Sequence, residues 1–498
     1  MERKSNIPAS QGQAAGIFAP QRVTPRDLTY LFGITAAAIL VHGYHVGVED
    51  MAVYLPAIKK LLHPALYPFD ANFFLLYIRW TMFHQTIAES VRLTRLPLDW
   101  VLFFWHFAGI FLVLLGCLRL IRRCFPESAA HWAGISLVAA LLTMPVAGTA
   151  LFVIDQHLHP RTLATAFLLF AAVAILDSRL IALPWMILAA LAHPTMAAYG
   201  ICHLVVLAWV WPAARPAILI ASLPFGEPAN PIWREIMSHR DFQYPFRWRW
   251  YEWLGAIGPI VILGYFSRIG EREALPVFVR ICRRLCVSTS IGIAGAVVFT
   301  EFFSNQTWAR FEPMRILHFT YILFILFSGA LLGKYVLKAR TLPWILLLAP
   351  IAASMFYFQR VEFASSYHIE WPNRAPKNAW IQAFNWCRTN TPQDALFALD
   401  PKYMEQPGED FYGFRGFAER SMLADASKDN SVVEVFPDLA WQWKLETGTR
   451  KDWDHFRLDD FERLKRSYRV TWVIVQKTGA AGLDCPYSNT TVMVCRIP

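Results

Sequence analysis

Charge is what this sequence has least of. Lys, Arg, Asp and Glu make up 17% of its 498 residues, against about 25% in ordinary soluble domains. That deficit argues against a water-soluble enzyme. Its eight cysteines form no CxxC pair and no zinc spacing, which excludes thioredoxin-like redox chemistry and a zinc module. A Gly-rich phosphate loop and a hydrolase-type nucleophile motif are also missing, so P-loop and Ser-hydrolase chemistry are set aside. The first 27 residues carry Arg3, Lys4, Arg22 and Arg26 but no short apolar core with a small-residue cleavage site. They read as a cytoplasmic tail rather than a cleaved signal. The net charge of +10 is spread over loops and tails, which suits anionic lipid headgroups and gives no nucleic-acid stripe.

Hydrophobic residues, at 55%, and aromatic residues, at 15% with 20 Trp and 37 Phe, mark a polytopic membrane protein. A span needs roughly 20 apolar residues. Nine candidates are Leu28–Val46, Trp100–Leu120, Trp132–Ile154, Thr162–Leu176, Met196–Trp211, Trp253–Phe266, Val287–Phe303, Ile316–Leu332 and Pro343–Phe358. Arg119, Arg122, Arg123 and Arg179 follow spans; Arg268, Arg272, Arg280, Arg283 and Arg284 flank a loop; and Lys334, Lys338 and Arg340 precede the last span. Placing them all inside puts the N-terminus in the cytoplasm and the C-terminal region outside. Ile181–Ala192 breaks at His193–Pro194, and irregular backbone at membrane depth is tolerated only against protein or a cavity. Ala217–Phe225 is an apolar stub too short to span. The loop after it, rich in Trp and Arg, suits an amphipathic interfacial segment.

From about Gln359 the long apolar runs stop. "NAWIQAFNWCRTNTPQDALFALDP" reads as helix, turn and buried strand, and "LDDFERLKRSYRVTWVIVQK" repeats helix then strand. A final strand pair around Cys485 and Cys495 closes a sheet and allows a hairpin disulfide in an oxidising compartment. Five other cysteines, Cys117, Cys124, Cys202, Cys282 and Cys286, lie in or beside spans, where Cys packs as a small hydrophobe. The fold class is therefore mainly α, a polytopic helical bundle with a small α/β domain. Its parts are a tail at 1–27, a membrane body at 28–358 with a long first outer loop at 47–97, and an extracytoplasmic domain at 359–498.

Directly after the first apolar run stands Glu49–Asp50, in "HGYHVGVEDMAVYLPAIKKLL". Carboxylates at the membrane–water boundary can take a proton from an acceptor or hold a metal. Asp50 begins a helical pattern, where it also fits an N-cap. That position lowers its pKa and favours orientation over strong basicity, leaving Glu49 open as the base. "DQHLHPRT" gathers Asp155, His157, His159 and Arg161; an Asp with two His can ligate a metal, but this spacing on an irregular loop is a weak metal signal. His193 is either a buried polar group at a kink or a cavity residue. "TWARFEPMRILHF" sets Arg315 and His318 on one helical face beside Arg310 and Glu312. The C-terminal region carries Glu419–Arg420, Lys428, Trp441 and Trp443 without a catalytic pattern, and its expected role is to cap the membrane cavity.

This layout resembles the GT-C superfamily of polyprenyl-phosphate-dependent glycosyltransferases, and more narrowly bacterial GT-C-like membrane proteins. The resemblance rests on "GVEDMAVYLPAIKKLLHPALYP", "HPRT", "HP", "EPMR" and "RTNTPQDALFALDP". It implies an integral protein of the bacterial inner membrane. It also implies transfer of a sugar from a polyprenyl-phosphate donor to a glycan, lipid or protein acceptor on the outer face, usually with inversion. The family's loop acid falls on Asp50 or Glu49. Its donor-phosphate contacts fall on Arg161, whose planar fork suits two phosphate oxygens, and on Arg315 and His318. Asp155, His159 and His193 join the substrate-binding set. Some members use a divalent metal and others none, so a metal stays open. A transporter, which would show inverted repeats, and a non-catalytic scaffold, indifferent to amidation of Glu49 and Asp50, are the alternatives.

Overall fold

The computed structural model describes residues 22–177, 179–208, 230–302, 306–476 and 482–498. Six helices among them are long and apolar enough to cross a membrane: Leu98–Cys124, Pro160–Asp177, Trp250–Arg272, Pro276–Phe302, Gln306–Leu337 and Thr341–Glu362. The chain is an integral membrane protein. Small residues let these helices approach closely, the usual device where lipid removes the hydrophobic drive between helices. A methyl group on Gly134 would lie 2.7 Å from the Leu326 carbonyl, and one on Gly329 would lie 2.7 Å from that of Ala133. The Ser128–Ala140 and Leu317–Leu332 helices therefore pack backbone to backbone.

The structure differs from the expected spans in several places. Trp132–Ile154 is not one span. The helix ends at Ala140, and a hairpin of β1 (Pro145–Val146) and β2 (Leu151–Phe152) follows. Pro145 has no N–H to continue the helix, and Gly148 turns the chain at φ +65°. The first apolar run stops as a helix at His42, because Gly43 leaves helical geometry at φ +78°. Pro25–His42, with Arg26, Asp27 and His42 inside it, is not among the six long apolar helices. Arg280, Arg283 and Arg284 lie on the Pro276–Val297 helix rather than in a loop. The break at His193 separates two short helices, Ala182–Ala192 and Pro194–Ala208. The stub at Ala217–Phe225 and the end of the Met196–Trp211 span fall outside the described residues. The segment expected at the interface is partly internal. The Pro231–Ser238 helix buries Trp233 completely, and its indole N–H donates to the Glu434 carbonyl at 2.9 Å.

The C-terminal region builds a five-stranded sheet in the order β4-β3-β5-β7-β6. β3 (Leu396–Ala398) runs parallel to β4 (Ser421–Met422) and β5 (Trp472–Gln476), and β7 (Val492–Arg496) runs antiparallel to β5 and to β6 (Asp484–Ser488). Alternation along β5 decides its covering helices. Ile474 packs with Trp380 and Phe384 of the Ala379–Asn390 helix, while Val473 and Val475 pack with Phe461 and Leu464 of Leu458–Tyr468. Cys485 and Cys495 form the hairpin disulfide.

Backbone hydrogen bonds stitch the segment after the Pro25–His42 helix to this region. The Tyr44 N–H donates to the His368 carbonyl at 3.0 Å, the Glu370 N–H to Tyr44 at 2.9 Å, and the Gly413 N–H to Gly47 at 3.1 Å. The Glu370 carboxylate accepts from the Val46 N–H at 2.9 Å and the Tyr412 hydroxyl at 2.7 Å. Burial pushes this acid up to about 7, against those two bonds. Between its ordinary value and 7 the folded chain holds a proton that the unfolded chain has released, so stability falls as pH rises, by at most about 1.4 kcal/mol per unit. Thermal unfolding of Glu370→Gln should therefore gain on the parent as pH rises from about 5 to 7. A constant difference between the two would show that Glu370 titrates normally.

Candidate functional site

Glu49 and Asp50 open into a cavity of ≈ 750 Å³ between one end of the helix bundle, the segment after the first helix and the C-terminal region. This is within the roughly 300–1,000 Å³ of small-molecule sites. Gly47 at φ +78° and Glu49 at φ +50° bend the chain here. A left-handed Glu is unfavourable, and the Glu49 N–H is held by the Phe411 carbonyl at 3.1 Å. Asp50 stands at the N-cap position of Met51–Leu62 but makes no side-chain cap bond. Its oxygens go elsewhere. Oδ2 accepts from His159 Nε2 at 3.0 Å, and Oδ1 accepts from Lys428 Nζ at 3.1 Å. Lys428 also donates to Glu49 Oε2 at 2.6 Å. The other Glu49 oxygen has no hydrogen-bond partner among the described residues.

His159 has a defined proton. Its Nδ1 accepts from the Arg161 N–H at 3.0 Å, so the hydrogen of the neutral ring is on Nε2, toward Asp50. Burial and the Arg161 charge bring this histidine down to about 4, so it acts as a neutral donor. Burial opposes ionisation of Asp50, but Lys428 and His159 hold its carboxyl well below the usual range. The two carboxylates in turn raise the Lys428 ammonium above its ordinary value, against burial.

The positioning of Lys428 comes from the C-terminal region. Asp425 Oδ1 accepts from the Lys428 and Asp429 N–H groups at 2.6 and 3.1 Å, capping the Lys428–Val435 helix. Asp429 takes a two-bond fork from Arg415 at 2.9 and 2.8 Å, and Arg415 reaches Asp70 at 2.5 Å. All three are buried. The capping role expected of this region thus includes a charged side chain delivered to the acid pair.

The other candidates fall out unevenly. Arg161 faces the cavity, but its fork is spent on Asp155, with Nε at 3.2 Å and Nη2 at 2.6 Å. Burial raises Asp155, and the Arg161 charge more than reverses that. Arg315 lines the cavity paired with Glu312 at 2.7 Å. Arg240 lies 3.5 Å from Glu434. His193 stacks on His159, with centroids 5.8 Å apart. His318 is corrected in place: it is buried against the Val153 carbonyl at 2.9 Å and does not line the cavity. Arg310 does line it. Its guanidinium lies over the Phe311 ring at 4.9 Å and has no carboxylate partner among the described residues.

The metal left open by the sequence finds no donor set here. Among the described residues no three His, Cys, Asp or Glu side chains converge as ligands. An ammonium already bridges Glu49 and Asp50, and a guanidinium occupies Asp155. No step below uses a metal. Reading the sequence alone missed Lys428 as a site residue, because no local pattern reports a partner 379 positions away; it also missed that Arg161 and Arg315 pair with the nearby Asp155 and Glu312.

No family model matches the chain, and no curated protein matches it. Among solved structures it is similar to the oligosaccharyltransferase AglB of Archaeoglobus fulgidus in complex with an inhibitory peptide and a dolichol-phosphate. That likeness has 13% identity over 90% of this chain and 69% of that one, with a TM-score of 0.39. It is also similar to the apo form of the Archaeoglobus fulgidus oligosaccharyltransferase, at 12% identity over the same shares and a TM-score of 0.41. The complex of that enzyme with Zn and sulfate gives 11% identity over 90% and 67%, with a TM-score of 0.38.

Proposed function

We propose that this protein is a membrane glycosyltransferase that moves a sugar from a polyprenyl-phosphate donor to an acceptor hydroxyl on the outer face of a bacterial inner membrane. In this reading residues 28–358 are the membrane body and 359–498 an outer domain that completes the site. The supporting observation is one cavity, at the ends of membrane helices, that holds an acid pair and a guanidinium, with one Glu49 oxygen and Arg310 lacking an ionic or hydrogen-bond partner among the described residues. Glu49 is the base: its unpartnered oxygen receives the acceptor proton while Lys428 holds the other. Asp50, kept ionised and bonded on both oxygens, orients His159 and Lys428. The acceptor oxygen attacks the sugar's anomeric carbon, the bond from that carbon to the phosphate oxygen breaks, and its electron pair leaves with the polyprenyl phosphate.

Arg310 is the better anchor for that phosphate than Arg161 or Arg315. An arginine already paired with a carboxylate offers a net neutral unit, whereas a half-buried guanidinium without an anion gains most from one. Native mass spectrometry of protein gently extracted from its own membrane tests this. The parent and Glu49→Gln are expected to retain a polyprenyl phosphate or its glycosylated form, and Arg310→Ala to lose it. Bulk phospholipid bound equally by all three would overturn the donor assignment and favour a scaffold or transporter.

A further inference from the structure

One wall of the cavity carries no net charge and is built from rings. Tyr77 meets Tyr54 edge-on, with centroids 6.4 Å apart. Tyr54 meets His159 edge-on at 5.4 Å, and His159 stacks on His193 at 5.8 Å. Because His159 also bonds Asp50, this row of rings runs up to the acid pair. Trp80 extends it: Trp80 and Tyr77 both pack on Phe436 at 5.4 Å, and Trp80 remains 49% exposed. All four, Tyr54, Tyr77, Trp80 and His193, line the cavity.

Their polar atoms are unspent. The hydroxyls of Tyr54 and Tyr77 have no hydrogen-bond partner among the described residues, nor are they sealed from the cavity. His193 Nδ1 accepts from the Met196 N–H at 3.4 Å, so the neutral ring presents Nε2–H as a donor. Burial keeps both phenols protonated, and a phenolic OH both donates and accepts. The charged groups that act on these rings already have partners: Asp50 with His159 and Lys428, Arg161 with Asp155, Arg315 with Glu312, and Glu434 with Arg240.

A surface of aromatic faces and edges with neutral donors and acceptors suits a ring with C–H faces and a rim of hydroxyls. It does not suit a carboxylate or an ammonium, which would lose water there without gaining a counter-charge. We propose that the Tyr77–Tyr54–His193 wall, with Trp80 at its edge, is the sugar subsite and that it selects an uncharged sugar over a uronic acid or an amino sugar. This deepens the transferase reading and rests on it.

Saturation-transfer NMR on the full-length protein in detergent tests the subsite. The probes are the methyl glycosides of glucose, galactose and mannose, set against those of glucuronic acid and glucosamine. At least one neutral glycoside should bind more tightly than both charged ones. Tyr54→Phe and Tyr77→Phe, which keep the rings, should each weaken it about five- to tenfold, as expected for one lost hydrogen bond of about 1 kcal/mol. Charged glycosides binding as well as neutral ones, no neutral glycoside binding, or binding indifferent to both hydroxyls would overturn the subsite. Undecaprenyl phosphate binding, measured separately by native mass spectrometry, keeps the two readings apart. Lipid bound without Tyr-dependent sugar binding overturns the wall alone. Tyr-dependent sugar binding without any lipid supports the wall and overturns the polyprenyl-phosphate donor.

Discussion

Glu49→Gln should lower sugar transfer roughly 10³-fold, the middle of the range for loss of a positioned general base, and leave the donor lipid bound. The substitution keeps the length of the side chain and one oxygen for Lys428, whose Nζ lies 2.6 Å from Oε2. It removes the oxygen that has no other task. Asp50→Asn should act differently. Both Asp50 oxygens already accept hydrogen bonds, from His159 and Lys428, so an amide there must turn an NH2 group toward one of two donors. The expected result is a smaller loss of turnover, accompanied by a loss of thermal stability. Steady-state kinetics with a purified polyprenyl-phosphate sugar, together with unfolding curves for both variants, separate the two roles. Near-normal turnover in Glu49→Gln beside a dead but well-folded Asp50→Asn would transfer the base to Asp50.

Lys428→Met should cost about 1–2 kcal/mol of stability, because the removed ammonium is the shared partner of two half-buried carboxylates and their partial exposure screens part of the loss. Here it strands two carboxylates that the ammonium had separated. The pH dependence carries a definite sign. In the parent, Asp50 is held below its ordinary value and Lys428 above its own. The stabilisation from Asp50 is therefore complete above the ordinary carboxylate range and lost only as pH falls through the lowered value. That from Lys428 is complete below the ordinary lysine range and lost only as pH rises through the raised one. Between those limits the cluster contributes a constant amount. Without the ammonium, like charges push one carboxylate upward, and taking up a proton relieves the repulsion. The deficit of the variant should therefore shrink as pH falls from 7 toward 5. Transfer activity should fall too, because the base and its neighbour lose their common anchor. A variant with parental stability at pH 7, or a deficit unchanged on acidification, would show that Lys428 is not what holds the pair apart.

The membrane class, the helix-then-strand order of the C-terminal region and the Cys485–Cys495 bridge could be read from the chain. Each is a property of local composition, period or neighbours: low charge, apolar residues at helical spacing in Ala379–Asn390, alternation in Trp472–Gln476. Trp132–Ile154 misled because hydropathy averages over a window and passes over the Pro145 and Gly148 turn. His318 misled because Arg315 stands in a 3-10 turn before the helix that carries His318, and the histidine turns to the Val153 carbonyl from the loop after the hairpin that the apolar run concealed.

By itself, then, the sequence determined that this chain enters a membrane and that Glu49 and Asp50 stand just beyond its first apolar run. Both follow from the cost of taking charge and backbone polarity out of water, which is paid residue by residue. Only the tertiary structure decided what those acids face. Lys428 reaches Glu49 across 379 positions of sequence, Arg415 reaches Asp70 across 345, and Arg310 has no carboxylate partner among the described residues. Buried charges must find partners, and which partners are within reach is set by packing rather than by spacing along the chain.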